Sequence, residues 1–255
     1  MTTTRLPLFP LNTVLFPGLV LPLNVFEARY RALMRDLLAL PADGPRPFGV
    51  IAIRDGLETA PAAVGLPEEQ APPDAGPGAG FAPGDPMKSF HPVGCVADAS
   101  TIRAKPPATG PRDTAEAYEV LATGTTRFRL LSVDSSGPYL TGETEELPED
   151  SGEGAGALAA GVLDAFRAYQ KQLAGAYERT LASGQDLPQE PSVVSYLVAA
   201  ATVLGTAEKQ RLLQAPDTAT RLAQELAVLR RETRLISKLP SVPGVDFTIR
   251  PTCLN

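Results

Sequence analysis

LPLFPLNTVLFPGLVLPLNVFEARYRALMRDLL, residues 6–38, begins as strand and ends as helix. Its first two-thirds mix strand-forming Leu, Val and Phe with Pro7, Pro10, Pro17 and Pro22. Proline cannot donate to a β-ladder, so the pattern predicts short strands interrupted at edges, bends or bulges. Asn24 then stands three residues before Glu27, a variant of the capping-box spacing. Phe26, Tyr30, Leu33 and Leu37 follow at helical intervals, so a helix is expected over about 25–40. Pro41, Gly44, Pro45 and Pro47 end it, and the apolar run at 48–53 reads as a buried strand.

Outward from that opening, residues 56–90 carry seven Pro and six Gly in 35 positions, with few aromatic or β-branched residues to anchor them. Such a stretch buries too little apolar surface to offset its ordering entropy and is expected to be a surface insertion. Strand character returns at Val93, then at 117–133, where Gly124 separates two alternating runs, and again after Pro138. The Pro- and Gly-containing residues between Lys105 and Arg112 are expected to turn a long hairpin. Five to seven strands and one helix are therefore expected up to about Leu147. The acidic, Gly-rich PEDSGEGAG reads as a linker. Beyond it the period changes to helix, over about 158–181, 191–204, 206–214 and 217–239. In the last of these Leu222, Leu226, Leu229, Thr233 and Ile236 form one apolar stripe. The expected organisation is a β-rich part at 1–148, a helical bundle at 152–239, and a tail at 240–255 that packs back on the body.

The opening stretch has LFP twice, at Leu8-Phe9-Pro10 and Leu15-Phe16-Pro17, then Pro17-Gly18 and Phe26-Glu27-x-Arg29-Tyr30. It closely resembles the amino-terminal, substrate-binding domain of Lon proteases. FGV at Phe48, VGCVADA at Val93, TGTTRFRLLSV at Thr123 and PYLTGETEELPED at Pro138 look like that family's successive strands. KQRLLQAPDTATRLAQELAVLRRE from Lys209 is similar to its helical bundle. The resemblance implies an α+β fold, a β-rich PUA-like pseudobarrel followed by an α-helical bundle, and a role in recognising protein segments.

Other chemistries find little support in the residues. The formal charge of −6 argues against a polyanion as the main partner, and no apolar stretch approaches a membrane span. No secretory signal is legible, so a soluble cytoplasmic protein is expected. Cys95 and Cys253 have no metal-ligand spacing, and the single histidine, His91, has no nucleophile motif beside it. Gly154-Ala155-Gly156-Ala157-Leu158-Ala159 matches a loose GxGxxA, but acidic residues precede it instead of a buried strand, so it reads as linker. The carboxylates Glu143, Glu145, Glu146, Glu149, Asp150 and Glu153 lack the offsets of a Ca²⁺ loop and read as a solvated acidic edge. No GxxxxGK[ST] occurs, so the phosphate cradle of a Lon ATPase is missing and neither ATPase nor peptidase chemistry is expected. No cofactor, no metal and no enzyme activity are expected.

Two surfaces remain. Phe9, Phe16, Leu19 and Leu21 are candidates for binding apolar segments of unfolded or tagged polypeptides, in part by pairing with free strand edge. Against that stands the plainer reading, that they form the barrel core. Arg127 and Arg129, with Arg230, Arg231, Arg234 and Lys238 at the last helix, are the candidates for the alternative function, RNA binding on a PUA-like fold. Protein segments, with a protease or chaperone as associate, are the expected partners; a membrane and nucleic acid are not.

Overall fold

The computed structural model describes residues 3–41, 43–54, 86–105, 117–176 and 188–238. Its contacts divide the chain into two compact units, Met1–Pro148 and Glu149–Asn255. Most of the expected insertion, the expected turn after Lys105, Cys253 and the expected tail lie outside the described residues.

The first unit is a six-stranded mixed sheet that closes on itself. Its strands are β1 (Thr3–Leu11), β2 (Val20–Val25), β3 (Pro47–Ala52), β4 (Val93–Lys105), β5 (Ala117–Asp134) and β6 (Thr141–Leu147). The order is β2-β5-β4-β3-β1-β6, and β5 also pairs with β6. Five strands, β5, β4, β3, β1 and β6, therefore form a ring. The ring closes because β5 is 18 residues long. Its first half pairs with β2 from Tyr118 to Thr123, and its second half pairs with β6 from Arg127 to Asp134. Gly124 was expected to divide β5 into two runs, but the strand passes through it unbroken.

The prolines do not break β1 either, which runs continuously through Pro7 and Pro10. The reason is a change of partner. Thr3–Pro7 pair antiparallel with β6, and Leu8–Leu11 pair parallel with β3. The carbonyl of Leu11 accepts from Ile53 N–H at 2.9 Å, and Leu8 N–H donates to the Leu140 carbonyl at 2.8 Å. Backbone groups alternate sides along a strand. Pro10 thus turns its missing donor away from β3, and Pro7 faces the β3 side just short of where that ladder begins, at Leu8–Gly49.

One helix, α1 (Ala28–Leu38), packs on the ring through Tyr30, Leu33, Met34 and Leu37. It starts later than the sequence predicts. Glu27, not Asn24, holds the N-cap, with no side-chain cap hydrogen bond. Phe9 stacks on Tyr30 at 4.1 Å between ring centroids, and the Tyr139 hydroxyl donates to Asp36 at 2.6 Å. The end of the expected insertion is ordered: Pro86–Ser89 make a single 3-10 turn, and Phe90 is buried in a bridge to Ile53.

The second unit contains α2 (Ala155–Ala176), α3 (Pro191–Ala201), α4 (Thr206–Leu213) and α5 (Thr218–Lys238). Pro191 occupies the first turn of α3, where its missing N–H has no helical partner to lose. Asp217 caps α5, its carboxylate accepting from Thr220 N–H at 2.7 Å and Thr220 Oγ1 at 2.9 Å. Those two bonds hold the Asp217 carboxyl below the usual carboxylate range. Leu222, Leu229 and Ile236 of the α5 stripe are buried with Val162, Phe166 and Tyr169 of α2.

Candidate functional site

The repeated LFP and the Pro17-Gly18 that follows it set the geometry of β2. Phe16, Pro17, Gly18 and Leu19 form a turn in which Leu19 N–H donates to the Phe16 carbonyl at 3.2 Å. Gly18 at its third position has φ +78°. Pro at the second position and a left-handed Gly at the third are the requirements of a type II turn. Gly18 N–H then donates to the Gly124 carbonyl, and Gly124 N–H donates back to Leu19, both at 2.8 Å. Two residues thus oppose one, a bulge with Gly first, which aims β2 along β5. Gly124 has no room for a side chain: a Cβ there would lie 2.5 Å from the Phe16 carbonyl oxygen.

Bonded pairs recur every second residue in an antiparallel ladder. With Leu19–Gly124 bonded, the ladder continues through Leu21–Ala122, Leu23–Val120 and Val25–Tyr118. The backbone groups of Val20, Pro22 and Asn24 point the other way. On that side β2 has no partner among the described residues. The same alternation governs the side chains. Leu21, Leu23 and Val25 face the core, while Val20, Pro22 and Asn24 are exposed. By register, Pro22 lies beside Leu121 on the outer face, with Val20 beside Thr123 and Asn24 beside Glu119. Val20 is 58% exposed and Leu121 43%, and Phe26, just past the end of β2, is 53% exposed.

The structure places the residues expected to form the site partly in the core and partly at its edge. Phe9 and Phe16 are buried, at 5% and 1% exposure, so neither is available to a ligand. Uncovering either one would forfeit roughly 1.5–3 kcal/mol of burial. Leu19 and Leu21 are half-buried and packed against the same core. Val20, Pro22, Phe26 and Leu121, which the sequence did not single out, are exposed. The signal that could have found the first two was the phase of β2, set by the Pro-Gly turn before it.

The basic candidates for RNA divide into buried or paired side chains and exposed ones. Arg127 is buried, and Arg129 pairs with Glu145 at 3.1 Å. Arg231 pairs with Glu232 at 2.7 Å and hydrogen-bonds Glu208 at 2.5 Å, leaving Arg230, Arg234 and Lys238 exposed along α5.

No group of three or more potential metal ligands lies together among the described residues. His91 is half-buried and its backbone N–H donates to the Ala52 carbonyl at 3.0 Å. Burial pushes the Cys95 thiol up to about 12, so it stays protonated and unreactive at neutral pH. Among the described residues no helix is long and apolar enough to cross a membrane.

The start of the acidic linker is anchored, although its carboxylates remain exposed. Glu149 accepts two hydrogen bonds from the Arg221 guanidinium, at 3.0 and 3.1 Å, and one from Thr218 at 2.8 Å. It also takes a bond from the Tyr196 hydroxyl. Arg221 is wholly buried. It further donates to Ser195 Oγ at 2.8 Å and the Leu212 carbonyl at 3.2 Å, and stacks on the Tyr196 ring at 4.1 Å. This constellation holds the linker to α3 and α5, and every strong polar group in it already has a partner within it.

The structure is thus a closed mixed barrel whose β2 edge has no partner among the described residues, accompanied by a helical unit. Residues 5–231 match the model of the ATP-dependent protease La (LON) substrate-binding domain, and the chain belongs to that family. It is 27% identical over 231 residues to Lon protease 2 of Syntrophobacter fumaroxidans, covering 89% of this chain and 24% of that one. It is 29% identical over 237 residues to Lon protease 2 of Sorangium cellulosum, covering 90% of this chain and 25% of that one. The chain therefore spans about a quarter of the length of these relatives. The N-terminal domain of the Mycobacterium avium complex Lon protease shares the fold, with a TM-score of 0.55 at 18% identity, covering 91% of this chain and 98% of that one.

Proposed function

We propose that this chain recognises protein segments, unfolded or tagged, without carrying out a chemical step, and serves a protease as an adaptor or acts as a chaperone-like module. The observation that carries the reading is membership of a substrate-binding domain family over residues 5–231. The exposed strand edge and the apolar face around Val20 and Leu121 are consistent with such a role, because unfolded chains offer both apolar side chains and unpaired backbone. The buried or paired state of Arg127 and Arg129 gives RNA binding no comparable support.

The test is fluorescence anisotropy of a reduced, alkylated and therefore permanently unfolded protein titrated with this chain. Saturable binding is expected, with the same protein in its native, disulfide-intact form failing to bind. Equal binding of both forms, or of neither, contradicts the proposal.

A further inference from the structure

Resting on that reading, we infer that the free edge of β2 is the docking site, and that its occupant is an extended polypeptide segment that adds a strand beside Val20, Pro22 and Asn24. The edge presents main-chain groups at alternate residues, and the ligand chemistry that meets such a row in register is another extended backbone. Val20 and Asn24 each offer an N–H and a carbonyl, whereas Pro22 offers a carbonyl alone. The incoming strand therefore meets five groups, with one gap at the centre.

The gap bears on which strand can dock. A second copy of this chain pairing through its own β2, with the two-fold axis at the middle of the strand, would set Pro22 against Pro22 and lose both central hydrogen bonds. A foreign segment loses one. Proline on an exposed edge is a common device against self-pairing. Here it sits where it suppresses the symmetric dimer more than a heterologous strand.

Side-chain placement narrows the segment further. Residues directly opposite one another in a ladder share a face. Those opposite Val20 and Pro22 would lie on the outer face, extending the apolar patch that Leu121 continues on β5. The residue opposite Asn24 would lie on the row of Glu119 and Arg103, both exposed, and is expected to be polar. Residues of the opposite phase would flank Leu21 and Leu23, which are half-buried at the edge and would be covered by them. The favoured segment is thus extended, apolar at two successive alternate positions and polar at the next. Leu21 contributes, with Leu23, by being covered, whereas Phe9 and Phe16 take no part.

Pro22 makes the idea testable in both directions with the intact chain. Pro22→Val supplies the missing N–H, and Asn24→Pro removes an existing one. Both positions face away from β5, so neither change breaks a bond of the β2–β5 ladder. With the unfolded protein above as probe, Pro22→Val should tighten binding roughly threefold to tenfold, the worth of one net hydrogen bond, and Asn24→Pro should weaken it by a similar factor. Circular dichroism melts would confirm that both variants are folded. A labelled octapeptide of alternating Val and Thr, N-methylated either at every Val or at every Thr, supplies an independent readout. Methylation at Val should abolish binding and methylation at Thr should spare it, because the Val amides are those aimed at β2. If the unfolded protein binds but neither variant changes its affinity, the docking inference is overturned while recognition stands. If the unfolded protein does not bind at all, both fall. If Pro22→Val instead produces a dimer in sedimentation and leaves unfolded-protein affinity unchanged, the edge belongs to a second copy and the inference is likewise overturned.

Discussion

The two units of this chain bury their centres in opposite ways. The barrel packs apolar side chains against glycine backbone, as where a Cβ on Gly94 would lie 2.4 Å from the Phe128 ring and 2.5 Å from the Val50 carbonyl oxygen. The helical unit instead places a charged guanidinium, Arg221, at zero exposure and surrounds it with Glu149, Ser195, the Leu212 carbonyl and the Tyr196 ring. The first arrangement tolerates little change of volume. The second tolerates little change of charge. The difference also separates the unit that leaves a strand edge without a partner among the described residues from the unit that fixes its own linker.

The contrast makes graded predictions, each read by urea unfolding of the intact chain with hydrogen exchange assigning the loss to one unit. The largest effect is expected from Glu149→Ala, which strips Arg221 of its carboxylate while leaving the cation buried. Removing one partner of a fully buried pair costs about 3–5 kcal/mol, an upper bound here because Glu149 is itself a third exposed, and the loss is confined to the helical unit. A loss under about 1 kcal/mol would show that Arg221 reaches water readily. Next comes Gly94→Ala, expected to cost the barrel about 1–3 kcal/mol by overpacking and to leave the helical unit unaffected. Gly18→Ala should cost about 1–2 kcal/mol for a different reason. Nothing lies within 4 Å of its Cβ position, so the whole penalty comes from φ +78°.

The smallest effect at acid pH, and one that grows with pH, belongs to Glu225→Gln. Glu225 is buried and neither of its carboxylate oxygens has a hydrogen-bond partner. Burial raises its pKa well above 4.5, and the nearby Arg221 charge only partly opposes this. The folded chain therefore keeps this proton to higher pH than the unfolded chain does. Stability is intact below about 4.5 and declines as pH rises toward the folded value. Gln cannot ionise, so the variant should gain stability over the parent with rising pH above that point. An identical pH profile for the two proteins would refute the assignment.

Much of the fold was legible because its signals are local. The apolar faces of α1 and α5 and the change of period after Leu147 each lie within one short stretch. What escaped the sequence depends on distant partners. Whether Pro7 and Pro10 interrupt a strand is decided by which side β6 and β3 lie on, and those strands are remote in the chain. Gly124 looked like a break because its reason for being glycine, the approach of the Phe16 carbonyl, comes from more than a hundred residues earlier. The burial of Arg221 was not legible because its principal partner, Glu149, arrives from the linker. Exposure among the candidate residues was illegible for a related reason. Phe9, Phe16, Leu19 and Leu21 were chosen for being apolar, but exposure on β2 is set by phase, and phase selects Val20 and Pro22.

Residue-resolved amide exchange of the intact chain, with and without the unfolded protein, tests the docking edge most directly. In the free chain the amides of Leu21, Leu23 and Val25 should be protected by the β5 ladder, and those of Val20 and Asn24 should exchange rapidly. On binding, protection should appear at Val20 and Asn24, with the ladder amides little changed. Binding that leaves Val20 and Asn24 exchanging as fast as before would contradict the account.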